Sequence, residues 1–224
     1  GLVTLHVPED IYAILASRTA AEVMVRPERD LHGILERAND AIVIGPGVGF
    51  EQSDAILHLL RFATCPVVID ADAITILARS GMMPSLLANA AGPRLLTPHP
   101  GEMARLIHAH EPWSRLHRRA QAEAFVTEWA NPNVTLLLKG ARTVIATLGQ
   151  PTLFNSTGHP GMASGGMGDV LSGLLGALIG QGIPPHHAAG LGAWICGRAA
   201  EFAAQCHHHQ VGIAARDLLP ASGT

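Results

Sequence analysis

One short pattern recurs along the chain and limits its folding options more than any single residue does. An apolar run of strand length empties into glycines or charged residues, and a run with helical spacing follows. Ala41-Ile42-Val43-Ile44 leads into Gly45-Pro46-Gly47-Val48-Gly49 and then Ile56, Leu57, Leu59 and Leu60. Pro66-Val67-Val68-Ile69 ends in Asp70-Ala71-Asp72 before Ile74, Ile76 and Leu77. Arg94-Leu95-Leu96 ends in Thr97-Pro98-His99-Pro100-Gly101-Glu102 before Met103, Leu106 and Ile107. Short apolar strands alternating with helices belong to a parallel sheet covered on both faces. Val134 to Leu138, closed by Lys139-Gly140, extends the series, and Thr143 to Ala146 with Pro151 to Phe154 reads as an antiparallel hairpin at its edge. The expected fold is an α/β, three-layer α/β/α sandwich with a mostly parallel central sheet and an antiparallel edge hairpin.

Outside this series, Leu2 to Val7 reads as a strand, followed by a helix opened by Pro8-Glu9-Asp10 and carried by Ile11, Ile14 and Leu15. Ala21 to Val25 reads as a second short strand, and Leu31, Ile34 and Leu35 lie at helical spacing. A polar helix is expected from about Trp113 to Trp129, then helices from Val170 and from about His186 to Gln205, and a short one from Ala215 to Leu219.

With 224 residues, 48% of them hydrophobic and 15% charged, the chain can bury one substantial core, so residues 1–224 are read as a single domain. A net charge of −3 without a Lys/Arg stripe argues against a nucleic-acid surface. Arg115, Arg118 and Arg119 come nearest to one, and with Glu123 and Glu128 following they read as the solvated face of a helix. No segment approaches the roughly 18 apolar residues of a membrane span. Val170 to Ile179, the most hydrophobic, reads as a buried helix. Cys65, Cys196 and Cys206 form neither a C-x-x-C nor a disulfide framework, which fits a reducing, cytoplasmic setting. His207-His208-His209 and His186-His187 lack a completing Cys or carboxylate pattern and are read against a metal site; none with direct protein ligands is expected.

In an open α/β sheet, function gathers at the carboxyl ends of the strands, where the polar clusters fall. Asn155 to Asp169 is rich in glycine and runs straight into the apolar Val170 to Ile179. Such a turn leaves backbone N–H groups unshielded at a helix N-terminus, which suits an anion. Asp169 at the lip is placed to take a proton from an attacking hydroxyl. Lys139 is the single lysine beside fourteen arginines and follows a strand directly, within reach of a phosphate. Asp70 and Asp72 either hold Mg²⁺ through water, bond a ribose, or cap the helix that begins near Ala73. His99, held between two prolines, and Glu102, at a helix start, present an imidazole and a carboxylate at fixed positions. Met162 and Met167 read as packing residues.

Taken together, Asn155 to Leu171, Thr97-Pro98-His99-x-Gly101-Glu102, Gly45 to Gly49, Asp70-Ala71-Asp72 and Lys139-Gly140 resemble the bacterial ADP-dependent NAD(P)H-hydrate dehydratases of the ribokinase-like superfamily. The resemblance runs from about Gly1 to Leu219. It implies a cytoplasmic repair enzyme, a lyase that dehydrates the S epimer of hydrated NADH or NADPH while ADP, or ATP, is consumed, with Mg²⁺ as cofactor. It implies Asp169 as catalytic base; Gly47, Gly49, His99 and Asp169 around the hydrate; and Lys139, Gly140, Ala141, Arg142, Thr143, Gly166 and Gly168 around the nucleotide. Asn155, Glu102 and Asp70 are the candidate phosphate or Mg²⁺ organisers. Relatives carry a further N-terminal segment that this sequence starts after, many have an epimerase domain fused ahead, and tetramers are expected. Two other readings stay open: a small-molecule kinase of the same superfamily acting on a vitamin-precursor alcohol, and a non-catalytic nucleotide-binding protein.

Overall fold

The computed structural model describes residues 1–107, 116–128, 131–206 and 212–221. The chain opens with β1 (Val3–Pro8), a 3₁₀ turn (Glu9–Ile11) and α1 (Tyr12–Ala16), then β2 (Val23–Glu28) and a 3₁₀ segment (Leu31–Glu36). β1 and β2 pair in parallel with each other and form a separate two-stranded sheet. The spacing of Leu31, Ile34 and Leu35 thus yields a 3₁₀ rather than an α-helix, with Asp30 accepting from the His32 N–H at its start.

The six-stranded sheet follows, in the order β3-β4-β5-β6-β7-β8. β3 (Ile42–Ile44), β4 (Val67–Ile69), β5 (Arg94–Leu96) and β6 (Val134–Leu138) run parallel, and β7 (Val144–Thr147) and β8 (Leu153–Phe154) add the expected antiparallel edge. Between the parallel strands lie α2 (Ser53–Phe62), α3 (Ala71–Arg79), α4 (Met83–Ala88), α5 (Pro100–Leu106) and α6 (Arg118–Glu128). α7 (Met167–Gly180), α8 (Pro185–Cys206) and α9 (Ala215–Ala221) complete the chain. α4 adds a helix to those expected from periodicity; Pro84 in its first turn ahead of the buried Leu86 and Leu87 is its start signal. Trp113, Trp129 and His207–His209 lie outside the described residues.

Alternation along the strands divides the core into two layers. Ile42, Ile44, Val67, Ile69, Leu96, Leu136 and Leu138 face α2, α3, α5 and α6, while Val68, Leu95, Leu137 and Ile145 face α7 and α8. Gly176 lets α7 lie against β3, since a Cβ there would strike Val43. Cys196 is buried among the α8 contacts, where desolvation pushes its thiol up to about 11. Thr135 and Thr147 share a 2.8 Å hydrogen bond across β6 and β7, and Thr147 reaches His186 Nδ1 on α8 at 3.0 Å.

A buried arginine stands at the edge of the first core layer. Arg94 starts β5 fully buried, donating from Nε to Leu60 O (2.6 Å), from Nη2 to Ala63 O (2.7 Å) and from Nη1 to Pro93 O (2.9 Å) and Cys65 O (3.4 Å). Burial draws its pKa down to about 10, so the guanidinium stays charged at neutral pH. It completes the carboxyl end of α2 and the turn that follows, where helix carbonyls otherwise lack donors. Among the described residues, no helix is long and apolar enough to cross a membrane.

Candidate active site

The glycine and carboxylate clusters do converge at the carboxyl ends of the parallel strands. Gly45 leaves β3 at φ +128°, and a Cβ on it would collide with the Asp70 carbonyl at the end of β4. Glycine is required there because two neighbouring turns touch backbone to backbone. Further round the same turn, the Gly49 N–H donates to Asp72 Oδ2 at 3.1 Å. The two aspartates therefore do different work: Asp72 holds the Gly47 to Gly49 loop, while Asp70 points inward.

Asp70 is 1% exposed and fully engaged. Its Oδ1 accepts from Lys139 Nζ (2.7 Å) and the Ala71 N–H (2.9 Å), and its Oδ2 accepts from Ser172 Oγ (2.6 Å). Lys139 Nζ also stands 4.0 Å from Glu102 Oε2. The single lysine is thus bound between two carboxylates beneath the glycine turn: a Cβ on Gly168 would lie 3.4 Å from its Nζ and 3.5 Å from Asp70 Oδ2. Ala71 between the aspartates adopts φ +46°, a left-handed conformation that few non-glycine residues take.

His99 and Glu102 make a reciprocal cap on α5. His99 Nδ1 accepts from the Gly101 and Glu102 N–H groups, and Glu102 Oε2 accepts from the His99 N–H at 2.8 Å. His99 Nε2 lies 3.4 Å from Glu102 Oε1. With Nδ1 and the backbone committed, Nε2, beside Glu102 Oε1, is the ring nitrogen left to meet a ligand.

The glycine turn closes the site. Gly166, at φ +83°, is the N-cap of α7, and no side chain caps that helix. Among the described residues, the N–H groups of Met167, Gly168 and Asp169 have no partner, and they lie at the positive end of a 14-residue helix whose Gly168 is beside Lys139. Asp169 is exposed in that first turn, and among the described residues its carboxylate has no hydrogen bond or ion pair. Behind the turn, Ser164 Oγ donates to Ile213 O, and a Cβ at Gly166 would come within 3.1 Å of Ala215. Near Arg216 the start of α9 is closed by Asp217 Oδ2, which accepts from the Ala214 N–H at 2.8 Å.

Asn155 is engaged elsewhere. Its Oδ1 accepts from the N–H and Oγ1 of Thr157, and its Nδ2 donates to Thr157 O and Ala193 O, tying the start of the glycine run to α8. Arg118 overturns its reading as a solvated helix face: it turns inward and donates to Leu138 O (2.9 Å), Lys139 O (2.8 Å) and Ala141 O (2.5 Å). Its neighbour Arg119 does lie on the surface, paired with Glu123 at 2.8 Å. Sequence reasoning also passed over Ser172, whose only signal is its place one helical turn after Asp169. Among the described residues, no group of three His, Cys, Asp or Glu side chains is arranged to hold a metal ion.

This sheet, with its glycine and carboxylate turns at one edge and an antiparallel border, is ribokinase-like. Ribokinase from Thermotoga maritima aligns over 100% of the chain and 80% of its own length, with a TM-score of 0.59 at 14% identity, a likeness of fold alone. The chain belongs to the NAD(P)H-hydrate dehydratase family, whose family model matches residues 1–222. The Bifunctional NAD(P)H-hydrate repair enzyme Nnr of Moorella thermoacetica is 42% identical over 98% of the chain, which spans 42% of that relative's length. The ADP/ATP-dependent NAD(P)H-hydrate dehydratase of Bacillus subtilis, co-crystallised with ATP/Mg²⁺, matches 99% of the chain and 77% of its own, with a TM-score of 0.76 and 25% identity.

Proposed function

We propose that this chain catalyses the ADP-dependent dehydration of (S)-NADHX and (S)-NADPHX, the hydrated forms of NADH and NADPH. The observation that carries the reading is the exposed Asp169 carboxylate, without a partner among the described residues, in the first turn of an uncapped glycine-turn helix whose Gly168 lies against the Lys139 ammonium. Asp169 takes the proton from the C6 hydroxyl of the hydrated nicotinamide ring as that oxygen attacks the terminal phosphoryl group of ADP. The bond to the α-phosphate oxygen breaks and AMP leaves. The ring nitrogen then expels phosphate by breaking the C6–O bond, and loss of a proton from C5 restores the dihydropyridine. Amides of the α7 turn and Lys139 offset the charge that builds on the transferring group. His99 Nε2 and the Gly47 to Gly49 loop are assigned to the hydrate, and Lys139 to Thr143 with Gly166 and Gly168 to the nucleotide.

The donor set bears on Mg²⁺. Both Asp70 oxygens are already used, and Glu102 Oε2 caps α5. With those oxygens engaged, Glu102 is the carboxylate beside Lys139 that would help hold an ion carried by the nucleotide phosphates, in keeping with the few carboxylates Mg²⁺ commonly takes at nucleotide sites. When bound, it neutralises phosphoryl charge.

The test is incubation of hydrated NADH with ADP and, separately, ATP, following NADH absorbance and AMP. Asp169→Asn is expected to slow turnover by about 10²–10⁴-fold with nucleotide binding retained, the usual range for a lost general base. Full activity in that variant sinks the assignment, and a stable phosphorylated alcohol as product would mark a kinase instead.

Leu191, Trp194 and Phe202 are exposed along α8, and we assign this face to a homotetramer in the cytoplasm, where free thiols persist. Trp194→Arg should lower the mass measured by light scattering; a wild-type chain that is monomeric at working concentration rejects the assembly.

A further inference from the structure

The turn after β6 has its polar groups sorted by side. Arg118 takes the carbonyls of Leu138, Lys139 and Ala141, and Thr143 Oγ1 takes that of Gly140 at 3.2 Å. Among the described residues, the N–H groups of Gly140, Ala141 and Arg142 have no hydrogen-bond partner, and all three residues are exposed. Gly140 adopts φ +135° and Arg142 φ +58°. The guanidinium packs so closely on the turn that a Cβ at position 140 would come within 3.0 Å of Arg118 Nη2. Arg118 makes no ion pair among the described residues, its Nε is buried without a partner, and burial lowers its pKa. Among the described residues its partners are all backbone carbonyls, which sets it apart from an ordinary surface arginine paired with a carboxylate.

Carbonyl oxygens repel an anion, whereas successive N–H groups in such a turn form a concavity that binds one. A planar guanidinium can gather several carbonyls at once in a fixed fork, which an ammonium cannot reproduce. We propose that Arg118 is a positioning residue for the nucleotide: it draws the carbonyls of the turn to the α6 side and so leaves the donors of Gly140 to Arg142, next to Lys139, open to a phosphate group of a nucleoside diphosphate. The inference rests on the nucleotide-dependent reading given above. Arg118 acts through the turn and touches no reacting atom.

Calorimetric ADP binding tests it without turnover. Arg118→Ala and Arg118→Lys are each expected to weaken ADP by about tenfold or more, equivalent to about 1.4 kcal/mol. In the assay, KM for ADP rises while kcat at saturating ADP and KM for the hydrate hold, and added guanidinium ion restores ADP binding to Arg118→Ala. Variants with wild-type circular dichroism that bind ADP as the wild type does overturn the proposal. Amide hydrogen exchange on the wild-type protein gives a second measurement, independent of how the variants fold: ADP should protect the amides of residues 140–142, and unchanged exchange there overturns the proposal as well. A wild-type chain that binds ADP but leaves hydrated NADH unrepaired would instead defeat the dehydratase reading alone.

Discussion

Replacing Arg94 by Met should destabilise the protein while leaving its ligand chemistry intact. The side chains are of similar length, so the cavity is small and hydrogen bonding decides the outcome. Arg94 makes two short buried bonds, to Leu60 O and Ala63 O, and a third to Pro93 O, which also accepts from the Val67 N–H at 2.9 Å. Methionine leaves the first two carbonyls without a donor, at about 1–3 kcal/mol each. Against this, it removes a buried cation whose desolvation lowers the pKa to about 10. Where a buried ion pair is replaced whole by apolar residues, the relief can exceed the loss. Here the partners are backbone carbonyls, which no side-chain change removes, so the loss should win by about 2–4 kcal/mol. For a chain of this size that corresponds to a fall of roughly 4–16 °C in Tm. Thermal and urea unfolding would measure it, with Arg94→Lys falling between because an ammonium reaches fewer of the carbonyls. ADP binding should not change, since Arg94 begins β5 and His99 lies about 17 Å of extended chain further on. A Tm within about 2 °C of wild type would refute the carbonyl argument.

Gly45→Ala should unfold or severely destabilise the chain, by about 3 kcal/mol or more, because the added methyl meets the Asp70 backbone at a positive φ; a purified variant with wild-type Tm contradicts that. His186 gives a pH dependence. Its burial, with His187 nearby, lowers its pKa from the usual 6.5. The unfolded chain then binds the proton first, so the His186 contribution is complete above about pH 6.5 and is lost as pH falls below it. Urea midpoints at about pH 7.5 and about pH 5.5 should differ, and by less in His186→Leu; an equal difference in both proteins removes His186 as the cause.

The sandwich was legible because its strands are short, apolar and closed by turn residues. Periodicity reports which faces are buried, and Val67-Val68-Ile69 or Leu136-Leu137-Leu138 can be little else. It does not report pairing partners, so nothing in Leu2 to Val7 foretold that β1 and β2 would stand as a sheet apart. The Asp70, Glu102, Lys139 and Gly168 convergence followed from the rule that strand ends share an edge. Charge assignments fared unevenly because a helix with mixed charges looks solvated from its sequence. Arg118 and Arg119 are adjacent, yet one is a clamp and the other a surface ion pair, a difference set by the turn each meets. Arg94 carried a signal of its own, an arginine opening an otherwise apolar strand. Asp70 carried two readings, a holder of Mg²⁺ or ribose or a helix cap; the structure shows the cap, and the same Oδ1 that accepts from the Ala71 N–H also accepts from Lys139 Nζ.

Lys139 being the only lysine has a practical side. The chain offers amine-directed chemistry one ε-amine, which sits against Asp70 at the floor of the candidate site. An acylating reagent or an aldehyde-bearing nucleotide analogue would find no competing lysine on the surface. The added mass on this peptide would then report directly how often that floor is reached, giving the protein a built-in label at the place where occupancy matters.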